Sequence, residues 1–109
     1  MISNRLDIVT LLKGIKRDLG IDSTYSHFVN GHELPYLVYI GSGQSQLQAD
    51  GTAYWRGNTY QVELYYSKKD ETLEAGIEDA ILAGGWNYDK SEDTYLDDQG
   101  IYLIYYNLS

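Results

Sequence analysis

Tyrosine supplies 12 of the 109 residues, whereas phenylalanine occurs once and cysteine not at all. Tyr39, Tyr54, Tyr60, Tyr65, Tyr66, Tyr102, Tyr105 and Tyr106 fall in short runs that mix or alternate apolar and polar residues, a strand-like pattern. A tyrosine carries an apolar ring and a hydrogen-bonding tip, so it suits a surface that is dry on one side and wet or partner-covered on the other. A chain of this size buries only roughly 65% of the surface it exposes when unfolded. That interior is too small to hide so many rings. Several are therefore expected on faces that another chain covers, which points to an assembly component before an enzyme.

Charge narrows the partners. Eight Lys and Arg face sixteen Asp and Glu, for a net charge of -8. A general nucleic-acid or anionic-membrane binder needs a basic face, and this balance works against one. The absence of cysteine excludes disulfides, thiolate metal sites and thiol catalysis, and agrees with a reducing compartment. Met1-Ile2-Ser3-Asn4-Arg5 lacks the apolar core and cleavage site of a signal peptide, and no run approaches the ~20 apolar residues of a membrane span. Synthesis in the cytoplasm is the expectation, with one domain for the whole of residues 1–109.

Periodicity divides the chain into elements. Ile8, Leu11, Leu12, Ile15 and Leu19 form one apolar stripe and predict a helix over 4–19, capped by Ser3 or Asn4 and stopped by Gly20. Gly14 inside it reads as a close packing contact. Thr24 to Phe28 reads as a strand. Tyr36 to Ile40, opened by Pro35 and apolar on both faces, reads as a central strand. Residues 41–51 read as the longest loop or a protruding hairpin. Gly57-Asn58 then predicts a tight turn between strands at 52–56 and 59–66. In the second of these, Tyr60, Val62, Leu64 and Tyr66 share one face, and Gln61, Glu63 and Tyr65 the other.

Asp70 predicts the cap of a second helix over 71–83, with Leu73, Ile77, Ala80 and Ile81 inside and Glu71, Glu74, Glu78 and Asp79 largely outside. Gly84-Gly85 ends it. A further strand starts at residues 86–89, interrupted or extended through Thr94-Tyr95-Leu96, and the last strand covers 101–108. The expected fold is α+β, a mostly antiparallel sheet backed by two helices in the order αββββαββ.

No familiar catalytic set is present. Gly41-Ser42-Gly43 lacks the lysine and following helix of a phosphate loop. His27 and His32 are the only histidines; even with Glu33 they make a poor metal pair and read as residues around a strand end. No serine lies in a nucleophile-elbow context. The acids that a carboxylate-only mechanism needs across a cleft fall mainly on helix exteriors and turns. Counting from Asp89, the sixth and twelfth positions are Thr94 and Gly100, so the acidic run to Asp98 fails as a calcium loop and reads as a solvated turn. Base stacking on the aromatics would need a cationic groove. No cofactor or metal is expected. Gln44, Ser45, Gln46 and Gln48 read either as a disordered loop or as an uncharged arm that orders against a neighbour, while Trp55 and Trp86 read as core or interface anchors. The candidate interface is Gln44, Gln46, Leu47, Gln48, Tyr54, Trp55 and Tyr65.

The stretch Leu34-Pro35-Tyr36-Leu37-Val38-Tyr39, the loop ending Gln48-Ala49-Asp50-Gly51, then Tyr60-Gln61-Val62-Glu63-Leu64-Tyr65 and Lys68-Lys69-Asp70, resembles the tail-completion proteins of long-tailed bacteriophages, also described as tail terminators or head–tail joining proteins. With the acidic helix and the closing Tyr-rich strand, the resemblance spans roughly residues 6–106. It implies a non-enzymatic α+β subunit of the virion, assembling as a ring, typically a hexamer. Such a ring caps the tail tube, stops its growth and meets the head connector, while DNA passes through without specific binding. An acidic lumen would suit that passage. A different class, a small acidic inhibitor mimicking DNA, would need carboxylates spaced like phosphates on one face and no ring; the run at 89–98 is short for that. An enzyme would need paired acids of perturbed pKa in a cleft.

Overall fold

In the computed structural model, residues 6–26, 33–49, 53–96 and 100–109 are described, with the side chains of 43–49 and 53–58 left outside the description. The elements are α1 (Ile8–Leu19), β1 (Ser23–Tyr25), β2 (Tyr36–Ala49), β3 (Ala53–Tyr66), α2 (Glu71–Ala83), β4 (Tyr88–Lys90), β5 (Thr94–Leu96) and β6 (Ile101–Leu108). The fold is α+β, with a sheet ordered β1-β2-β3-β6-β4 and β5 also paired to β6. Among the described residues only the β1–β2 pairing is parallel.

α1 starts later than its periodicity predicts. Asp7, not Ser3 or Asn4, is the cap: its carboxylate accepts from the N–H groups of Val9 and Thr10 at 3.0 and 3.1 Å and from the Thr10 hydroxyl at 2.7 Å. The last turn closes on Gly20, whose φ of 72° lies in the left-handed region that favours glycine. α2 matches expectation, with Asp70 accepting from the Leu73 N–H at 3.0 Å.

The register explains the burial. Leu37 and Tyr39, Tyr60 to Tyr66 by alternation, and Ile104, Tyr106 and Leu108 face the helices. On this side Ile8, Leu11, Leu12 and Ile15 of α1 and Ile77 and Ile81 of α2 complete one core. Trp86 joins it, its indole N–H donating to the Leu6 carbonyl at 2.9 Å. β2 is interior, as its two apolar faces predict: Leu37 is buried on the helix side and Val38 on the other. The close helix packing falls not at Gly14, where an added Cβ would meet an arginine tip at an ordinary 3.7 Å. It falls at Gly76, where a Cβ would sit 3.1 Å from the Leu19 side chain.

Three further expectations change. Gly57-Asn58 makes no turn, because both residues lie inside β3, opposite Ser45 and Gln44. Residues 41–49 are strand, not loop, so the protruding hairpin is the form taken. The segment after α2 divides into β4 and β5, giving the order αβββαβββ. His27, Phe28, His32, Asp97 and Asp98 lie outside the described residues.

Ile104 is fully buried between β3 and the helices. Ile104→Ala is expected to lower stability by about 2–5 kcal/mol in urea unfolding, from lost transfer energy plus a residual cavity. A loss under about 1 kcal/mol would contradict a tightly packed core at this point.

Candidate assembly surfaces

The β2–β3 ribbon outruns its neighbours. β1 pairs with β2 only at Leu37 to Tyr39, and β6 pairs with β3 only at Tyr60 to Tyr66. Beyond a register shift between Gly41 and Gly43, seven further pairs run from Gly43–Thr59 to Ala49–Ala53. At ~3.4 Å per residue this is a two-stranded arm about 20 Å long. It accounts for the elongated outline of 50 × 27 × 25 Å. Both of its edges carry N–H and C=O groups that no strand among the described residues pairs, and an isolated hairpin is marginal in water.

The sheet face away from the helices is a second surface. In register across it lie Tyr36, Tyr65 and Leu103, then Val38, Glu63 and Tyr105, then Ile40, Gln61 and Asn107. Val38 and Leu103 are buried there, yet neither belongs to the helix-side core. Tyr36 and Tyr65 stack with centroids 5.0 Å apart, and the Tyr65 hydroxyl donates to Glu63 at 2.7 Å. Burial, then Glu63, pushes the Tyr65 phenol well above its ordinary pKa, so it stays a neutral donor. The face is largely half-buried and rich in rings whose tips are polar.

A charged cluster fixes the other end of the molecule. Glu74 is 3% exposed. Lys90 donates to its Oε1 at 2.9 Å, and Lys69 lies 3.0 and 2.9 Å from its two oxygens while bonding Oε1. Lys90 also reaches Glu78 at 2.8 Å, and Lys69 reaches Asp93 at 3.0 Å. Two buried tyrosines finish the set: Tyr106 donates to Glu78 at 2.8 Å, and Tyr66 donates to Asp93. The cluster ties α2 to β3, β4, β6 and the turn after β4. Sequence reading missed it by placing Glu74 outside, although Glu74 stands three and seven residues before Ile77 and Ile81, on the inner stripe itself.

Six of the seven residues expected at an interface, Gln44, Gln46, Leu47, Gln48, Tyr54 and Trp55, share the arm. Gln44, Gln46, Leu47 and Gln48 pair there with Asn58, Arg56, Trp55 and Tyr54. Tyr65 is apart from them, on the open face. Among the described residues no group of three or more His, Cys, Asp and Glu side chains is placed to hold a metal ion, and no helix is long and apolar enough to cross a membrane. Comparisons with protein-family models and with curated proteins find no match for this chain.

The cluster makes stability depend on pH. The Tyr66 hydrogen bond, with Lys69 beyond it, holds the Asp93 carboxyl below its ordinary value. Burial opposes the Glu78 charge, but bonds from Lys90 and Tyr106 outweigh it and lower that pKa too. Lys69 is raised by its bond to Glu74; Lys90 is raised by Glu74 and Glu78 despite burial. Depressed carboxylates stabilise fully above their unfolded pKa, ~4, and the contribution goes as pH falls through the folded values. Raised lysines stabilise fully below ~10.4 and lose that above it. Thermal unfolding should therefore show a plateau between about pH 6 and 9 and a fall below about pH 4. Glu78→Gln with Asp93→Asn should flatten the acid fall. An unchanged fall would assign it to Asp7 and Asp18, whose carboxyls Thr10 and Arg17 also hold low.

Glu74→Ala removes the shared partner of two lysines. Because both ammonium groups keep access to water, the expected cost is roughly 2–3 kcal/mol in urea unfolding, below that of orphaning a fully buried charge. A neutral result would mean that the cluster is dispensable.

Proposed function

We propose that this chain is a structural subunit of a bacteriophage tail, which assembles as a ring on the end of the tail tube, stops tube growth and joins the tube to the head connector. The single observation that carries this reading is the arm. Seven residue pairs of ribbon extend past every supporting strand, with two open edges and a run of uncharged glutamines on one strand. A free monomer gains little from such a ribbon, since it buries no core of its own. Against another subunit or the tube end, the same open edges form main-chain hydrogen bonds and the alternate side chains give the fit. The tyrosine face beside it supplies contact area that tolerates both water and protein.

In this reading the subunit performs no reaction. Its partners are further copies of itself, six in the ring of the family it resembles, together with the tube protein and the connector. It is made in the host cytoplasm and resides at the head-proximal end of the tail. The net charge of -8 suits a channel that DNA crosses without sticking.

Removing residues 44–48 alone would strand their partners 54–58, so the arm must be shortened on both strands. A variant in which an Asn-Gly turn replaces residues 44–58 and links Gly43 to Thr59 should keep its far-ultraviolet spectrum and melting temperature. Its binding to cognate tail tubes, measured by co-sedimentation, should fall at least about tenfold, the loss of about 1.4 kcal/mol of contact. Undiminished binding would remove the arm from the mechanism, and a full-length protein that ignores tail tubes would refute the function.

A further inference from the structure

We infer that the two opposite flanks of the sheet are the two halves of one head-to-tail contact between copies of this chain, an inference that rests on the ring reading and assigns its subunit border.

One flank lies between α1 and β1. A groove of about 280 Å³ opens there, lined by Val9, Leu12, Lys13, Lys16, Tyr25 and Tyr39 among others. Its apolar rim faces solvent: Val9 is 42% and Tyr25 59% exposed, with Tyr25 edge-on to Tyr39 at 5.3 Å. The other flank lies past β6, where β5 ends the sheet. There Tyr95, 51% exposed, packs on Tyr102 at 4.9 Å, and Tyr102 stacks on Tyr66 at 5.4 Å. Tyr25 is in register with Tyr39, and Tyr95 and Tyr102 with Tyr66, so both patches lie on the helix side of the sheet.

The charges around the two patches have opposite character. On the α1 flank Lys16 is paired with Asp22 and Arg17 with Asp18, and Lys13 on the groove adds a further cation. The segment 88–96 carries Asp89, Glu92 and Asp93 against Lys90, with Lys90 held by Glu74 and Glu78 and Asp93 held by Lys69; the nearby start of α2 adds Glu71. Each flank thus has an apolar centre and a charged border, the anatomy of a protein interface. Pairing like flanks would set acids against acids at one flank and Lys13 against Lys13 at the other. Pairing unlike flanks sets Lys13 against Glu92, since Asp93 is already held by Lys69 and Tyr66. A second copy is the occupant that offers the complementary flank at equal concentration. Because the flanks are opposite ends of the sheet, each contact leaves one of each kind free, and the chain of contacts ends only by closing.

The chain has no cysteine, so trapping is clean. The double variant Val9→Cys, Tyr95→Cys, treated with a short bis-maleimide, should give a ladder of dimers, trimers and larger species that ends at a closed ring. Mixing the two single variants should give dimers only. Lys13→Cys with Glu92→Cys is a second pair at the borders and should behave alike. Lys13→Glu in the trapping background should reduce the yield severalfold, and adding Glu92→Lys should restore it. Monomers alone at millimolar concentration, or homodimers from either single variant, would overturn the inference. No tail tube is needed, and the arm-shortened variant should still ladder, so this result is independent of tube binding.

Discussion

Everything in this molecule follows from a mismatch of lengths between its two layers. Helices of 12 and 13 residues span about 18–20 Å at 1.5 Å per residue, whereas strands of 14 residues run to about 46 Å. Two such helices can cover only one end of one face. The core of Ile8, Leu12, Ile77, Ile104 and Tyr106 is therefore concentrated where helices and sheet overlap. The far half of the ribbon and the whole reverse face receive no helix among the described residues. An open half and an open face are the geometric residue of that arrangement.

Tyrosine reconciles this architecture with water. Where the helices lie over the sheet, Tyr66 and Tyr106 bury their rings and donate hydrogen bonds from their hydroxyls to Asp93 and Glu78, so neither phenol oxygen goes unpartnered. On the reverse face, Tyr36 and Tyr65 stack and lend one hydroxyl to Glu63. The same side chain closes a polar core in one place and leaves a sticky, hydrated surface in another. Phenylalanine could do neither without stranding a carboxylate or exposing bare hydrocarbon.

Most of the fold was legible because both helices carry periodic stripes and β3 alternates without interruption. What escaped was set by tertiary context. Gly57-Asn58 is a strong local turn signal, yet the ladder opposite Gln44 and Ser45 holds it extended, and the paired strands run on to Ala49 and Ala53. The glutamine run read as loop because its strand character comes from pairing and not from composition. Glu74 was misplaced because charge was allowed to outvote position on the stripe; lysines from distant segments neutralise it, and no local pattern announces them. Asp7 captured the helix start because it offers a carboxylate where Ser3 and Asn4 lie a turn too early. Of the interface set, the glutamines were legible as an arm, but their coplacement with Tyr54 and Trp55 on one ribbon required the register.

The root of the ribbon sets the aim of its tip. One extra residue, Ser42, is accommodated between Gly41 and Gly43, its hydroxyl donating to Thr59 at 2.9 Å, just where third-strand support stops. A bulge of this kind bends and twists the strand that carries it. With a radius of about 20 Å, ten degrees of rotation at that point displaces the far end by roughly 3–4 Å, close to one residue of strand register. A single serine between two glycines thus acts as a sighting adjustment, trading a small local distortion for a whole-residue displacement of the far end.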